Sequence, residues 1–178
     1  SSVHRRLISE LERRRVSREL HAAGDEWSLA RDVTARVLFP PPGFSAPAAD
    51  DQAMVVQLTA FDRWRILLMS DSGEATERFL LNSDTDIRSD IVIKGQHHSA
   101  ASATPEFLDR VQPAAIITSS SAFSQSEGVR DDWAEMIQSR GIKLFRQDHT
   151  GAVRLRFFGG HWEVKPYLGS DSFRSPSR

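Results

Sequence analysis

The chain has 178 residues, 39% of them hydrophobic and 26% charged, with a formal net charge of -1; that is an ordinary globular balance for one domain or a large part of one. A charge so near zero shows no basic excess of the kind a nucleic-acid binder carries, and leaves only local patches for such a role. With no cysteine, disulfides, thiolate metal sites and cysteine nucleophiles are excluded, so a metal would be held by His, Asp or Glu, a donor set that suits zinc, manganese or iron.

In chain order, residues 3–23 read as an amphipathic helix. Leu7, Leu11 and Val16 form the apolar positions, and the run is stopped by Gly24. Residues 33–39 are β-branched and apolar and end at three prolines, which predicts a strand with a hard stop. Residues 54–59 and 65–69 read as a hairpin turning near Asp62 and Arg63. A short helix over 74–81, a buried strand over 91–93, a helix over 105–111 with proline at its start, and a buried strand over 114–118 follow. A Ser-rich loop over 119–128 leads to an amphipathic helix over 130–139, stopped by Gly141. Strands over 142–146 and 152–158 flank a turn over 148–151, and 162–164 reads as a further strand. Residues 1–168 thus form the folded portion, and 169–178 a polar tail expected to be disordered. The pattern is αβ: a mixed sheet covered by helices, not a purely parallel doubly wound one. No apolar run approaches the ~20 residues that cross a bilayer. The polar, basic start is not followed by the apolar stretch of a signal peptide.

Two places can carry chemistry. Asp71 ends the apolar strand Leu-Leu-Met-Ser-Asp at residues 67–71. A carboxylate at a strand end in an α/β sheet is well placed to hold one or two cations. It is equally well placed to cap the helix beginning near Glu74, and position alone favours the cap. His97 and His98 follow the strand at 91–93. Adjacent histidines on an extended backbone point to opposite sides, so one ligates and the other lines the pocket, or both are surface loop residues. Asp71 and His97 both follow buried strands separated by one short helix, which predicts a common sheet edge. His149 and His161 have no partner at ligand spacing, and His4 and His21 lie on or near the basic helix. Trp27, Trp64, Trp133 and Trp162 read as core or hairpin packing. No nucleophile elbow, phosphate loop or dinucleotide fingerprint is present.

The order of these segments resembles the C-terminal half of the metallo-β-lactamase domain of ComEC-type competence proteins. Residues 35–41, Ala-Arg-Val-Leu-Phe-Pro-Pro, are similar to that family's strand ending in Leu-x-Pro-Pro. Residues 54–58 and 64–71 resemble its hairpin ending in Thr-Gly-Asp, and residues 89–98 its segment Asp-x-Leu-Lys-x-x-His-His-Gly-Ser. Residues 105–118 resemble the next helix and strand, and residues 140–153 the closing Thr-Asp-x-x-Gly-Ala-Val. The resemblance spans roughly residues 5 to 157.

It implies part of an αββα sandwich whose metal site is shared between two halves. Asp71 would be the bridging carboxylate, and His97, with His98 as the competing choice, the later ligand. Asp71 and His97 would be the catalytic residues of metal-assisted hydrolysis of DNA phosphodiesters with zinc or manganese. The partners implied are single- or double-stranded DNA, the N-terminal half of the domain, and the membrane channel of a larger protein. That protein would lie at the extracytoplasmic or periplasmic face of a bacterial inner membrane. Three departures stand against this: Ser70 replaces the Gly of Thr-Gly-Asp, no Gly follows His98, and residues 125–129 hold no His where the family has His-Pro-His. The His-x-His-x-Asp-His signature of the other half is absent as well. These favour a degenerate, non-catalytic binding or scaffold module as the alternative, with a cytosolic small-molecule hydrolase of the same fold as the third reading. With so few ligands, this chain alone is expected to be inactive and to bind divalent metal weakly or not at all.

Overall fold

The seven strands of the main sheet fall into two halves that differ in how they are connected. The computed structural model describes residues 2–46, 50–95, 102–120 and 128–177. In the first half, β1 (Glu26–Ala30), β2 (Val33–Phe39), β3 (Val55–Ala60) and β4 (Trp64–Ser70) form an antiparallel meander. The β3–β4 turn is tight because Phe61 and Asp62 both take left-handed backbones, and Arg63 N–H donates to the Ala60 carbonyl at 3.1 Å. From β4 onward the sheet is parallel, running through β5 (Ile91–Lys94), β6 (Ala115–Thr118) and β7 (Lys143–Arg146). Parallel neighbours need crossovers, supplied by α2 (Glu74–Leu81), α3 (Pro105–Val111) and α4 (Asp131–Ser139).

Strand order equals chain order. Each new strand is therefore added on the same side, and crossovers of one hand put all three helices on one face. There Leu67, Val92 and Ile116 of the sheet meet Leu80, Phe107 and Ile137 of the helices in one buried cluster. Each such side chain contributes roughly 1.5–3 kcal/mol through removal from water. On the opposite face, Trp64, Ile66, Ile91, Ala115 and Phe145 pack beneath a second, antiparallel sheet. Its strands are β8 (Val153–Phe157), β9 (Trp162–Pro166) and β10 (Phe173–Arg174), with Trp162 and Val164 buried against the first sheet. The observed class is the mixed sheet covered by helices that the sequence pattern predicts.

Four local expectations change. The helix expected over 3–23 is α1 (Ser2–Arg13) and stops early. Arg15 takes φ +55°, Val16 N–H donates to the Leu11 carbonyl and Arg15 N–H to that of Glu12. This is the paired-bond C-terminal motif, here without glycine at the left-handed position. Gly24 instead donates to the Val37 carbonyl at the entry to β1, an edge strand that is almost wholly exposed and has no apolar alternation to announce it. The turn expected over 148–151 is a one-turn helix, α5 (Gln147–Thr150). The tail expected to be disordered carries β10: Phe173 packs on Trp162, and the Trp162 N–H donates to Ser175 Oγ at 3.0 Å. No helix among the described residues is long and apolar enough to cross a membrane.

Candidate functional site

The parallel register lines up the C-terminal ends of four strands. Ser70 pairs with Lys94, Lys94 with Thr118, and Thr118 with Arg146. The residues just beyond this row are Asp71, Gly95, Ser119 and the one-turn helix α5, so one edge of the sheet collects them. Such edges are where α/β sheets present polar groups held by rigid strands.

Asp71 stands at this edge with an exposed side chain. Ser70 before it takes φ +50° and interrupts the β4–β5 register, which turns the chain out of the sheet. Gly95 N–H donates to the Ser70 carbonyl at 2.7 Å. The Asp71 carboxylate then lies over the bare Cα of Gly95; a β-carbon there would sit 1.7 Å from Asp71 Oδ1. Gly95 is thus required by the carboxylate's position. Asp71 does not cap α2. The cap position belongs to Gly73 and has no side-chain bond, which removes the structural alternative for this aspartate. His97 and His98 follow Gly95 by two and three residues and lie outside the described residues.

Two charged groups that sequence reasoning passed over sit behind Asp71. Lys94, the last residue of β5, is buried, donates to the Gly95 carbonyl at 2.7 Å and stands 5.2 Å from the centre of the Trp133 ring. Burial pushes its ammonium down to about 8, against the pull of the Glu77 and Asp71 carboxylates. Glu77 on α2 is buried too, and burial raises its carboxyl above the ordinary range. It accepts hydrogen bonds from the Ala103 N–H, the Thr104 N–H at 3.0 Å and Thr104 Oγ1 at 2.9 Å. The sequence signals were faint: a lysine closing an apolar strand, and a glutamate three residues before Leu80 on the helix face that is buried.

At the far end of the row, Asp148 of α5 accepts from Ser120 Oγ at 2.6 Å and pairs with Arg146 at 2.9 Å. Burial opposes its ionisation, but the Arg146 and Ser120 hydrogen bonds outweigh it and hold the carboxyl at about 2. His149 is exposed, 3.6 Å from Asp148, and His161 pairs with Glu163 at 3.2 Å and stacks on Phe158. Neither joins Asp71. Among the described residues no three His, Asp or Glu side chains gather as a metal would need. A cavity of about 290 Å³ lies at the opposite end of the sheet. Two of the three arginines lining it are engaged: Arg65 with Asp86 at 2.6 Å, and Arg63 with the Gly159 carbonyl at 2.6 Å.

The chain is similar to ComE operon protein 3 of Bacillus subtilis. The two are 24% identical over 144 residues, which is 79% of this chain and 18% of that protein. The chain therefore spans less than a fifth of the length of the curated relative it matches. No protein-family model matches. This similarity agrees with the competence-related resemblance drawn from residues 5 to 157. Of the four tryptophans, Trp64 and Trp162 are buried core residues, Trp133 packs against the helix-side core, and Trp27 stacks on His21 in the β1–β2 hairpin, which is the core or hairpin packing expected of them.

Two tests follow from this geometry. Gly95→Ala should displace the Asp71 carboxylate, and Asp71→Ala should relieve the clash. A double-mutant cycle by urea unfolding should give a coupling on the order of 1 kcal/mol, with the double mutant more stable than the sum of the singles; strict additivity would mean that the carboxylate does not lie on Gly95. For Asp148, the folded carboxyl sits below its unfolded value. Its stabilisation is therefore complete above pH ~4 and is lost as pH falls toward ~2. Asp148→Asn should cost about 2 kcal/mol at pH 7 and progressively less toward pH 2 in the same unfolding measurement; a cost independent of pH would contradict the assigned pairing.

Proposed function

We propose that this chain is the C-terminal part of a metal-dependent phosphodiesterase domain, of the metallo-β-lactamase αββα type, in a protein of competence DNA uptake. The observation that carries the reading is Asp71. It is an exposed carboxylate turned out by a left-handed Ser70, laid on the backbone of Gly95, and freed from any capping role. Two residues further on come His97 and His98. The similarity to a ComE operon protein supports the competence assignment.

In this reading Asp71 and His97, with His98 as the competing ligand, would hold zinc or manganese. Carboxylate and imidazole donors suit both ions. They supply fewer than the four ligands of a closed site, so the remainder comes from an N-terminal half of the domain. When bound, such a metal polarises the phosphodiester and activates water. The chain's own residues orient the site. Gly95 leaves room for the carboxylate, Ser70 aims it, and buried Lys94 offsets its charge from behind. Single- or double-stranded DNA is the substrate class, delivered by the membrane channel of the same protein, on the extracytoplasmic or periplasmic face of the inner membrane.

A second reading has a specific observation behind it. With no three-ligand cluster among the described residues, and with the Gly and the later His of the family missing from the sequence, a degenerate binding or scaffold module is the competitor. Asp71→Asn in the full-length protein separates the two. It keeps the shape and removes the charge, and because Gly73 occupies the cap position the substitution should leave stability nearly unchanged. The hydrolase reading expects manganese-dependent cleavage of single-stranded DNA to fall on the order of a hundredfold or more. Equal cleavage by the variant would detach Asp71 from catalysis, and a full-length protein that never cleaves would make the scaffold the better account.

A further inference from the structure

The end of the sheet opposite Asp71 joins a basic cavity to two exposed aromatic rings. The cavity, of about 290 Å³, is lined by Arg63, Arg65 and Arg88, with Asp90 and Gln112 among its other walls. Asp86 orients two of the arginines, Arg65 through its guanidinium at 2.6 Å and Arg88 through its backbone N–H at 3.1 Å. The Arg88 guanidinium itself is exposed, feels the Asp86 charge, and makes no hydrogen bond among the described residues. A guanidinium offers roughly five N–H donors, so Arg65 also keeps donors beyond its bond to Asp86. Asp90 is the one carboxylate of the lining, and its Oδ2 accepts the Arg65 backbone N–H at 2.9 Å. Three guanidiniums against one carboxylate make this a local basic site in a chain of net charge -1.

The aromatic rings stand on the turns beside it. Phe61 and Asp62 turn β3 into β4 with φ +54° and +51°, a geometry that favours Asn and Gly and works against a bulky side chain. Phe61 gains little from the core in return, since it is 46% exposed. The turn between β8 and β9 lies against this one: Arg63 donates to the Gly159 carbonyl at 2.6 Å and Trp64 Nε1–H to the Phe158 carbonyl at 3.0 Å. Phe158 is exposed as well, and His161 stacks on its ring at 4.5 Å. A disfavoured backbone kept for an exposed ring, next to a basic cavity, points to a ligand that uses both.

We propose that this end of the sheet is a binding site for single-stranded nucleic acid, in which Arg63, Arg65 and Arg88 take a backbone phosphate and Phe61 and Phe158 offer faces to unpaired bases. Guanidiniums recognise phosphate by paired, charge-assisted hydrogen bonds. Exposed aromatic rings stack on any base once it is unpaired, so the combination selects a single strand and is indifferent to its sequence. A free phosphate would use the cavity and leave the rings idle. The site lies at the other end of the sheet from Asp71. It needs no metal, and it holds under the hydrolase and the scaffold readings alike.

The test uses the full-length protein containing this chain, with a fluorescent oligothymidylate of about 12 nucleotides, within the span such platforms cover. Binding is read by anisotropy across a salt series. EDTA is present throughout, so that metal-dependent cleavage plays no part and a failure here leaves the hydrolase reading untouched. Arg88→Gln removes a guanidinium that holds no other group. Phe61→Asn removes the ring and suits the left-handed backbone, so the fold should persist. Phe158→Ala keeps the carbonyl that Trp64 binds and stands in should Phe61→Asn fail to fold. The expected result for Arg88→Gln is weaker binding, with the slope of log affinity against log salt shallower by about 0.7, the share of one phosphate contact on a single strand. Phe61→Asn should weaken binding by about five- to a hundredfold, the range for one lost stacking partner, and leave the salt slope unchanged. Unchanged affinity in either Arg88→Gln or the aromatic variant overturns the proposal, as does a wild-type protein that binds no oligothymidylate. Displacement of the strand by an equal concentration of inorganic phosphate would assign the cavity to free phosphate, and displacement by polyglutamate would assign the face to an acidic protein; either result overturns the nucleic-acid site.

Discussion

The register of the four parallel strands is the constraint from which the candidate site follows. Ser70, Lys94, Thr118 and Arg146 are neighbours across β4 to β7, so whatever follows each strand emerges at one edge. A slip of one residue would send Lys94 to the other face of the sheet and take Gly95 out from under Asp71. The register is in turn secured by burial on both faces: Leu67, Val92 and Ile116 face the helices while Ile66, Ile91 and Ala115 face the second sheet. A packing requirement distant from any chemistry therefore determines which polar groups meet.

Ser70 shows how the edge holds a backbone that its own residue disfavours. Left-handed backbone costs a residue with a β-carbon roughly 1–2 kcal/mol. Here serine holds φ +50°. The conformation survives because the turn is tied down on both sides, by the Gly95 N–H bond to the Ser70 carbonyl and by Ser72, whose N–H and hydroxyl both donate to the Met69 carbonyl. These bonds hold the turn that presents Asp71 without a glycine at its left-handed position.

Much of this was legible in the sequence, and for identifiable reasons. The strands at 54–59, 65–69, 91–93 and 114–118 and the helices at 74–81, 105–111 and 130–139 were visible because each is apolar or amphipathic enough to be needed by the core. Asp71 was visible because it interrupts an apolar run. What was not legible depends on contacts distant in the chain. The solvent-facing strand β1 owes its place to β2 rather than to its own pattern. β10 forms because Phe173 and Ser175 find Trp162. Glu77 and Lys94 look like surface charges until the fold buries them, and the left-handed Arg15 that ends α1 is occupied by a residue no stop signal includes. The role proposed for His97 and His98, which lie outside the described residues, comes from their position two and three residues after Gly95.

The hydrolase and scaffold readings share this scaffold of strands and differ in one physical matter, whether the Asp71 carboxylate holds an ion. Anomalous X-ray scattering at the manganese edge, from crystals of the intact domain grown with manganese, decides it most directly. The account predicts a manganese peak within about 2.0–2.3 Å of an Asp71 carboxylate oxygen, the distance range for oxygen ligands to such ions, with an imidazole of His97 or His98 in the same coordination shell. A domain that folds with the Asp71 carboxylate on Gly95 and shows no manganese there, or manganese bound only at residues remote from Asp71, would contradict it.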